Sequence, residues 1–262
     1  MVGRGVLSFG SRSRSFSRFT TCWAAVVFEA LAAAAERPET VVFFAASHRG
    51  DVSKPSVQAS GRWRVPTREA EIDAELAAAT LKEANAAGEV LLDRPAAHGG
   101  DHAIEVQLPF LLEMLPGARF VPVAMPSAVP GYAVGESAAR AVRSLGRKAV
   151  ALASTDLTHY GPNYYAFAPK GVGEAAHRWS KEVNDRRILD RILALDARGA
   201  YEAGEEDSSA CGPSAAAAAV AFAKTLGAKK GVLIEHITSW ERAKHEEGEP
   251  TDFVGYAAVV FI

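Results

Sequence analysis

The chain is poor in cysteine, in aromatic residues and in any excess of charge. Cys22 and Cys211 are the only cysteines among 262 residues, which excludes a disulfide framework and suits a reducing cytoplasm. The formal net charge is −2 with both signs intermixed, so we expect neither nucleic acid nor an anionic membrane as a partner. No apolar run approaches the roughly 20 residues that cross a bilayer.

Acidic residues are also missing from residues 1–21, a segment rich in Ser, Arg and Gly. The regular apolar pattern begins only at about Cys22. Arg-rich starts occur in organelle transit peptides, but this one has no amphipathic period. We therefore expect residues 1–21 to be irregular, disordered or aberrant, and residues 22–262 to form a single α/β domain.

Strand and helix patterns alternate along the rest of the chain. Apolar runs predict strands over Val41–Ala46, Glu89–Leu92, Phe120–Ala124, Ala149–Ala153, Gly231–Thr238 and Phe253–Phe261. Helical spacing and caps predict helices over Trp23–Ala35, Thr67–Ala86, Gly135–Leu145, Glu174–Leu195 and Pro213–Leu226. This alternation predicts a three-layer α/β/α fold with a mostly parallel or mixed central sheet.

Two of the predicted strands end in polar side chains. Val41–Ala46 is followed by Ser47 and His48, and the strand that begins at Ala149 is followed by a turn with a carboxylate, two hydroxyls and an imidazole. Ligands of open α/β sheets bind beyond the carboxyl ends of the strands. One such histidine is usually structural, but two such ends predict that His48 and His159 share a pocket.

Cys211 directly precedes the helix predicted to start at Pro213. Unpaired amides and the dipole at a helix start lower the pKa of a thiol, and a thiolate can be a nucleophile, a redox group or a soft metal ligand. The alternative is a small buried residue at a tight turn. Cys22 lies in an apolar helical pattern and is predicted to be buried and inert.

A third polar cluster contains His102, Glu105 and Gln107. An HxxE pair lies on one face of a helical turn and can bind a metal, although the pattern is common by chance. The other polar candidates have structural interpretations: His98 and Asp101 are predicted in a loop, His177 and His245 on solvated faces, and His236 within a strand.

Taken in order, these clusters resemble the Memo family, whose members are similar to the catalytic subunits of class III extradiol dioxygenases. The resemblance extends from about Val41 to the C-terminus. The matching segments are Ser47-His48, His102-Ala-Ile-Glu-Val-Gln-Leu-Pro-Phe-Leu111, Ser154-Thr-Asp-Leu-Thr-His-Tyr-Gly161, Cys211-Gly-Pro213 and Gly255-Tyr-Ala-Ala258.

The resemblance implies a metal site formed by two histidines and a cysteine, with copper or iron as the cofactor. It identifies His48 and Cys211 as metal ligands, and His159 with Asp156 as the catalytic pair of the same pocket. The further pocket residues are Ser47, His102, Glu105, Gln107, Ser154 and Thr155. We expect a small-molecule or peptide ligand, and no residue pattern specifies an oligomeric state.

The first histidine of the family pattern has no counterpart here. It belongs to a Pro-His-Ala-Gly-Tyr type of loop, whereas this chain has Phe9 to Arg18 in that region and no histidine before His48. The usual first strand is also missing from the pattern. Either the site is degenerate, or the start is misassigned or frame-shifted. With two family ligands instead of three, metal should bind more weakly than in a complete relative.

The leading hypothesis is a metal-dependent redox protein or oxidoreductase, in which cysteine shifts the preference toward Cu(I). An extradiol-type ring-cleaving dioxygenase and a non-enzymatic ligand- or peptide-binding module are the alternatives. Hydrolysis by Cys211, His159 and Asp156 is disfavoured, because a carboxylate only three residues from the histidine is expected to orient it poorly.

Overall fold

A mixed sheet of nine strands forms the centre of the protein in a computed structural model that describes residues 6–8, 20–66, 68–243 and 248–262. The strands are β1 (Val6–Ser8), β2 (Thr40–Ala46), β3 (Ser56–Val57), β4 (Arg62–Arg64), β5 (Glu69–Glu71), β6 (Leu92–Asp93), β7 (Arg119–Met125), β8 (Ala149–Ser154), β9 (His159–Tyr160), β10 (Gly231–Thr238) and β11 (Phe253–Phe261). Their order in the main sheet is β10-β11-β1-β8-β2-β7-β3-β6, with β9 paired to β11. Strands β4 and β5 form a separate hairpin.

The four central strands, β1, β8, β2 and β7, are mutually parallel. Antiparallel pairing begins on either side, at β11 and at β3. Every residue of β2 and β8 is buried, which explains their uninterrupted apolar sequences: a strand covered on both faces has no polar alternation. The prediction of a mostly parallel or mixed sheet is confirmed.

Helices cover this sheet on both faces. The helices are α1 (Thr20–Ala32), α2 (Ala74–Ala86), α3 (Leu108–Met114), α4 (Tyr132–Leu145), α5 (Glu174–Trp179), α6 (Asp185–Leu193), α7 (Ala197–Glu206), α8 (Pro213–Thr225) and α9 (Ser239–Ala243). Helices α2, α4, α8 and α7 pack side by side, while α1 packs on α3 and against β1 and β11. The three-layer α/β/α prediction is confirmed. Within the described ranges, no helix has the length and apolar character needed to cross a membrane.

Helices α4 and α8 approach each other unusually closely. Alanines fill α8 from Ala215 to Ala219, and all of them are buried. Opposite them lies Gly135 of α4, where an added Cβ would be 2.0 Å from the carbonyl oxygen of Ala218. Small side chains therefore let two helical backbones almost touch.

The N-terminal segment differs from its prediction at Val6–Ser8. These residues form strand β1, which lies between β8 and β11 and pairs with both. A first strand is therefore present in a segment that we expected to be irregular. Residues 1–5 and 9–19 lie outside the described residues, so the remaining part of that expectation stays a prediction.

The predicted helix over Thr67–Ala86 is correct only in its second half. Glu69–Glu71 is a strand of the hairpin, with Ala70 buried between two exposed glutamates, and Thr67 lies outside the described residues. The helix begins at Ala74, and Asp73 caps it by accepting a hydrogen bond from the Leu76 amide. The acidic residues Glu69, Glu71 and Asp73 suggested the first turn of a helix. Their alternation with the apolar residues Ala70 and Ile72 is instead the pattern of a strand.

The single helix predicted over Glu174–Leu195 is interrupted by a π-helical turn at Ser180–Asn184. A π turn contains an extra residue, which shifts the side chains that follow it around the helix axis. Asn184 and Asp185 are consequently buried. Both contact the segment after β8: Asp185 accepts a hydrogen bond from the Thr158 amide, and Asn184 donates one to the Thr158 hydroxyl.

Substitution of Gly135 tests the close contact between α4 and α8. We expect Gly135→Ala to lower the free energy of unfolding by about 1–3 kcal/mol through overpacking, even though alanine is favoured over glycine in a helix by roughly 1 kcal/mol. Urea denaturation measures the change. Gly50→Ala is the control, because no atom lies within 4 Å of its added Cβ. A gain in stability from Gly135→Ala would contradict the described contact.

Candidate active site

The parallel strands β2 and β8 end at the same edge of the sheet. Their register pairs Ala45 with Ser154, so the residues that follow each strand emerge side by side. Helix α8 starts at this edge and presents Cys211 from the residue pair that precedes it. An added Cβ at Gly212 would lie 2.6 Å from Ala46 Cβ, so only glycine allows this approach. Two strand ends and one helix start thus define the site.

The Cys211 thiol is held by the turn that follows β8. The amide of Asp156 donates a hydrogen bond to Cys211 Sγ at 3.2 Å, and Thr155 Oγ1 lies 3.5 Å from the same sulfur. In return, the Cys211 amide donates to the Asp156 carbonyl oxygen at 3.1 Å. These contacts fix the sulfur relative to the strand end and stabilise its thiolate form, because they are directed at the developing charge.

His159 forms an ion pair with Asp156. Its Nε2 lies 2.9 Å from Asp156 Oδ2, and the carboxylate is completely buried. Burial lowers the pKa of His159, but hydrogen bonds with Asp156 and Cys211 outweigh it and raise this pKa to about 10. The expectation that Asp156 would orient His159 poorly is therefore wrong, because the turn folds the carboxylate back onto the ring.

The pKa of Cys211 reflects opposing effects. Burial and the negative charge of Asp156 raise it, but hydrogen bonds with His159 and His48 lower it from 9.0 to about 7. The thiol is thus partly ionised at neutral pH. His48 and His159 therefore both lie near Cys211 and stabilise its thiolate form.

Asp101 supports His48, although the sequence suggested an ordinary loop residue. Its carboxylate accepts a hydrogen bond from the His48 amide at 2.7 Å, and its other oxygen lies 3.3 Å from His48 Nδ1. Burial lowers the pKa of His48, but hydrogen bonds with Asp101 and Cys211 raise it to about 9. The two residues are 53 positions apart, so no local pattern could have indicated this contact.

His102 lies beside His48, with the two rings stacked at 5.1 Å and an angle of 22° between their planes. His48, Asp101 and His102 each place a possible ligand atom within 4.8 Å of the others. The lone pairs of imidazole nitrogens lie in the ring planes, and nearly parallel rings direct them side by side instead of toward one point. We therefore interpret this group as a support for His48.

The remaining predicted pocket residues have different positions. Ser154 donates a hydrogen bond to the Ala103 carbonyl oxygen and accepts one from Gln107, so this buried pair lies beneath the site and ties its loops to β8. Ser47 accepts a hydrogen bond from the Arg49 amide in the turn after β2. Glu105 is exposed and begins a 3-10 turn, Glu105–Gln107, that does not include His102.

Two further histidines form structural contacts. His177 is buried, with Nε2 2.8 Å from Thr238 Oγ1, so the predicted solvated face is wrong. His236 bonds to Asp185 at 2.8 Å, in agreement with its predicted structural role. His245 and the side chain of Cys22 lie outside the described residues.

A cavity of about 230 Å³ opens beside His159 and Cys211. Its other lining residues are Tyr165, Phe167, Gly204, Glu205, Ser208 and Ala210. No sequence pattern described above includes Tyr165 or Glu205. The adjacent aromatic residues Tyr164 and Tyr165, which follow the Ser154 to Gly161 segment, could have indicated Tyr165. Glu205 lies on helix α7, which was not predicted.

The pH dependence of alkylation tests the environment of the thiol. Because only the thiolate reacts, and the pKa of Cys211 lies near 7, its carbamidomethylation rate should rise with pH through about 7 instead of 9. His159→Gln removes a donor and should move the midpoint upward. Mass spectrometry of the Cys211 peptide in chelator-treated protein provides the rates.

His177→Gln is the matched control for this experiment, because the ring of His177 packs on Trp240 and Phe253 and not on the thiol. Its midpoint should equal that of the unmodified chain. Equal midpoints for His159→Gln and His177→Gln would mean that His159 does not stabilise the thiolate.

Comparisons with known proteins identify relatives of this chain. The family model described as Memo-like protein matches residues 18–260. The MEMO1 family protein of Methanopyrus kandleri is 36% identical over 228 residues, covering 86% of this chain and 72% of the relative. The MEMO1 family protein of Pyrococcus abyssi is 34% identical over 233 residues, covering 85% and 76%.

A solved structure shows the same fold. An uncharacterized protein of Escherichia coli K12 matches 98% of this chain and 99% of its own length, with a TM-score of 0.56 and 15% identity. At this identity the match concerns the fold alone. The family model and the archaeal relatives identify the family, and the chain belongs to the Memo family.

Proposed function

We propose that this chain is a metal-dependent redox protein whose metal site is built around Cys211. The observation that supports this proposal is that a possible ligand atom of Asp156 lies within 4.8 Å of the Cys211 sulfur, while His48 lies near the same thiol. One oxygen of Asp156 is available without breaking a contact: Oδ1 is buried and accepts no hydrogen bond from any residue that the structure describes.

The donor set suits copper or iron. A thiolate is a soft ligand that favours Cu(I), while imidazole and carboxylate are also found around iron. Cys211 and His48 would hold the ion, and Asp156 Oδ1 would be the third donor in the absence of the family's first histidine. A bound ion would supply one-electron redox chemistry beside the cavity.

The residues around this site control protons and orientation. His159 keeps a proton at neutral pH because its pKa is about 10, and Asp156 Oδ2 fixes that proton at Nε2. A protonated imidazole that faces the cavity can donate a hydrogen bond or a proton to a bound ligand. The amide of Asp156 stabilises negative charge on the thiolate by donating a hydrogen bond to its sulfur.

A carboxylate behind a ligating imidazole is a common arrangement in metal sites, because it fixes the ring and increases its basicity. Asp101 occupies this position relative to His48. Asp101 faces Nδ1, so it does not occupy the other ring nitrogen, Nε2. This pairing supports a role for His48 as a ligand instead of a general base.

Thiol chemistry without a metal is the second candidate, and the Asp156 to His159 contact favours it. A carboxylate, an imidazole and a thiol follow one another within hydrogen-bonding distance, which is the arrangement of an activated nucleophile. A ring-cleaving dioxygenase is less compatible, since a thiolate replaces the carboxylate that keeps an open Fe(II) site. If the chain binds no metal ion, the alternative of a non-enzymatic ligand- or peptide-binding module is favoured.

Anaerobic titration with Cu(I) and Fe(II) tests the metal proposal. We expect one ion per chain, with a loss of affinity of at least the 10- to 100-fold typical of a disturbed supporting residue in both Cys211→Ser and His48→Ala. Cys22→Ser is the matched control and should bind like the unmodified chain. Unchanged binding in Cys211→Ser would refute a site centred on this thiolate.

Substitution of Asp101 tests the support of His48. Asp101→Asn keeps the shape of the side chain but loses its charge, so we expect metal affinity to fall by about 10- to 100-fold with unchanged stoichiometry. Asp51→Asn is the control, because it removes an equal charge from the carboxylate that pairs with Arg49 and Arg94. An equal effect of both variants would point to general electrostatics instead of ring orientation.

A further inference from the structure

The cavity beside Cys211 is lined by residues of three chemical kinds. Tyr165 and Phe167 contribute aromatic side chains, and helix α7 contributes Gly204 and Glu205. His159 and Cys211 also line it. Lysine and arginine are absent from the described lining residues, so the positive charge of the cavity comes from the imidazole alone.

Tyr165, which lines this cavity, is held in an unfavourable backbone conformation. Its φ is +57°, and that of Ala166 is +55°, in the left-handed region that non-glycine residues rarely adopt. Hydrogen bonds from the Phe167 amide to Tyr164 and from the Gly161 amide to Phe167 close the loop around them. Such strain persists where surrounding contacts impose it, and it is concentrated at ligand-binding positions.

The side chain of Tyr165 is presented to solvent and to the cavity. It is 85% exposed, an unusual fraction for a large aromatic residue, and its ring lies roughly parallel to that of His159 at 6.5 Å. A loop that fixes an aromatic ring without burying it leaves one face of the ring available for a planar ligand.

Glu205 contributes a carboxylate to the same lining. Partial burial raises its pKa. Its carboxylate forms no ion pair with an arginine or lysine among the residues that the structure describes, whereas Glu202 on the same helix pairs with Arg198. A ligand with a positively charged donor would provide that partner.

We propose that this cavity binds a small planar aromatic ligand with a cationic hydrogen-bond donor, its ring against Tyr165 and its donor on Glu205. The inference deepens the proposed function, since the ligand would lie next to Cys211. Size agrees with it: a cavity of about 150 Å³ accepts benzene, so about 230 Å³ accepts one ring with a short substituent.

Charge distinguishes this ligand class from anions. Among the described lining residues, Glu205 is the one carboxylate, and no lysine or arginine lies beside it. An anionic ligand of the same shape would meet the charge of Glu205 and would leave that carboxylate without a partner. Aromatic carboxylates and phosphates should consequently be excluded.

Benzamidine and benzoate test the proposal, because they have nearly the same shape and opposite charges. Ligand-observed NMR titrations use the full chain as purified, at pH 7.5, with benzamide as the neutral probe. We expect benzamidine to bind at least threefold more tightly than benzoate. Glu205→Gln should weaken benzamidine by about three- to tenfold and change benzamide by less than twofold.

Two variants complete the test. Glu202→Gln removes the same charge from the same helix, but Glu202 pairs with Arg198 and does not line the cavity, so benzamidine affinity should not change. Tyr165→Leu should weaken benzamidine and benzamide alike, by about three- to tenfold. Circular dichroism verifies the fold of each variant, and both substituted side chains are exposed.

The inference is overturned if benzoate binds as tightly as benzamidine, if Glu205→Gln behaves like Glu202→Gln, or if no probe binds up to 10 mM. Metal content, measured on the same samples, separates this failure from failure of the proposed function. Glu205→Gln should retain the metal stoichiometry of the unmodified chain. Selective benzamidine binding by a chain that takes up no metal would reject the metal proposal and retain this one.

Discussion

The site depends on how closely the start of helix α8 approaches the ends of two strands. Gly212 makes this possible, since an added Cβ would lie 2.6 Å from Ala46 Cβ and 2.8 Å from Thr155 Oγ1. Any larger residue would push the helix outward, and with it Cys211. The reciprocal hydrogen bonds between Cys211 and Asp156 exist only because the two backbones are in contact. The hydrogen bonds of the Cys211 thiol therefore depend on the absence of a side chain at Gly212.

Paired charges surround the thiol on both sides. Asp101 accompanies His48, and Asp156 accompanies His159, so each imidazolium has its own carboxylate while both contact the same sulfur. Burying one of these charges alone would be costly, but burying them as pairs is tolerated. The arrangement lets a partly ionised thiol exist at neutral pH inside a largely enclosed site.

Strand and helix patterns predicted the architecture because apolar period and burial are directly linked. They placed His48, His159 and Cys211 at one edge of the sheet, since parallel strands end together. They could not reveal Asp101, whose partner is distant in sequence, or the inward turn of Asp185, which depends on one extra residue in a π turn. Helix α7 and its Glu205 were missed because their sequence resembles a polar loop.

The alanines of α8 have a consequence for motion at the site. Alanine has no rotatable side-chain bond beyond its methyl group, so a helix packed through Ala215 to Ala219 has no alternative rotamers with which to change its position. Larger side chains would permit several packings of similar energy, and the position of the helix would vary among them. Here the thermal displacement of the sulfur should be no larger than that of the backbone that carries it.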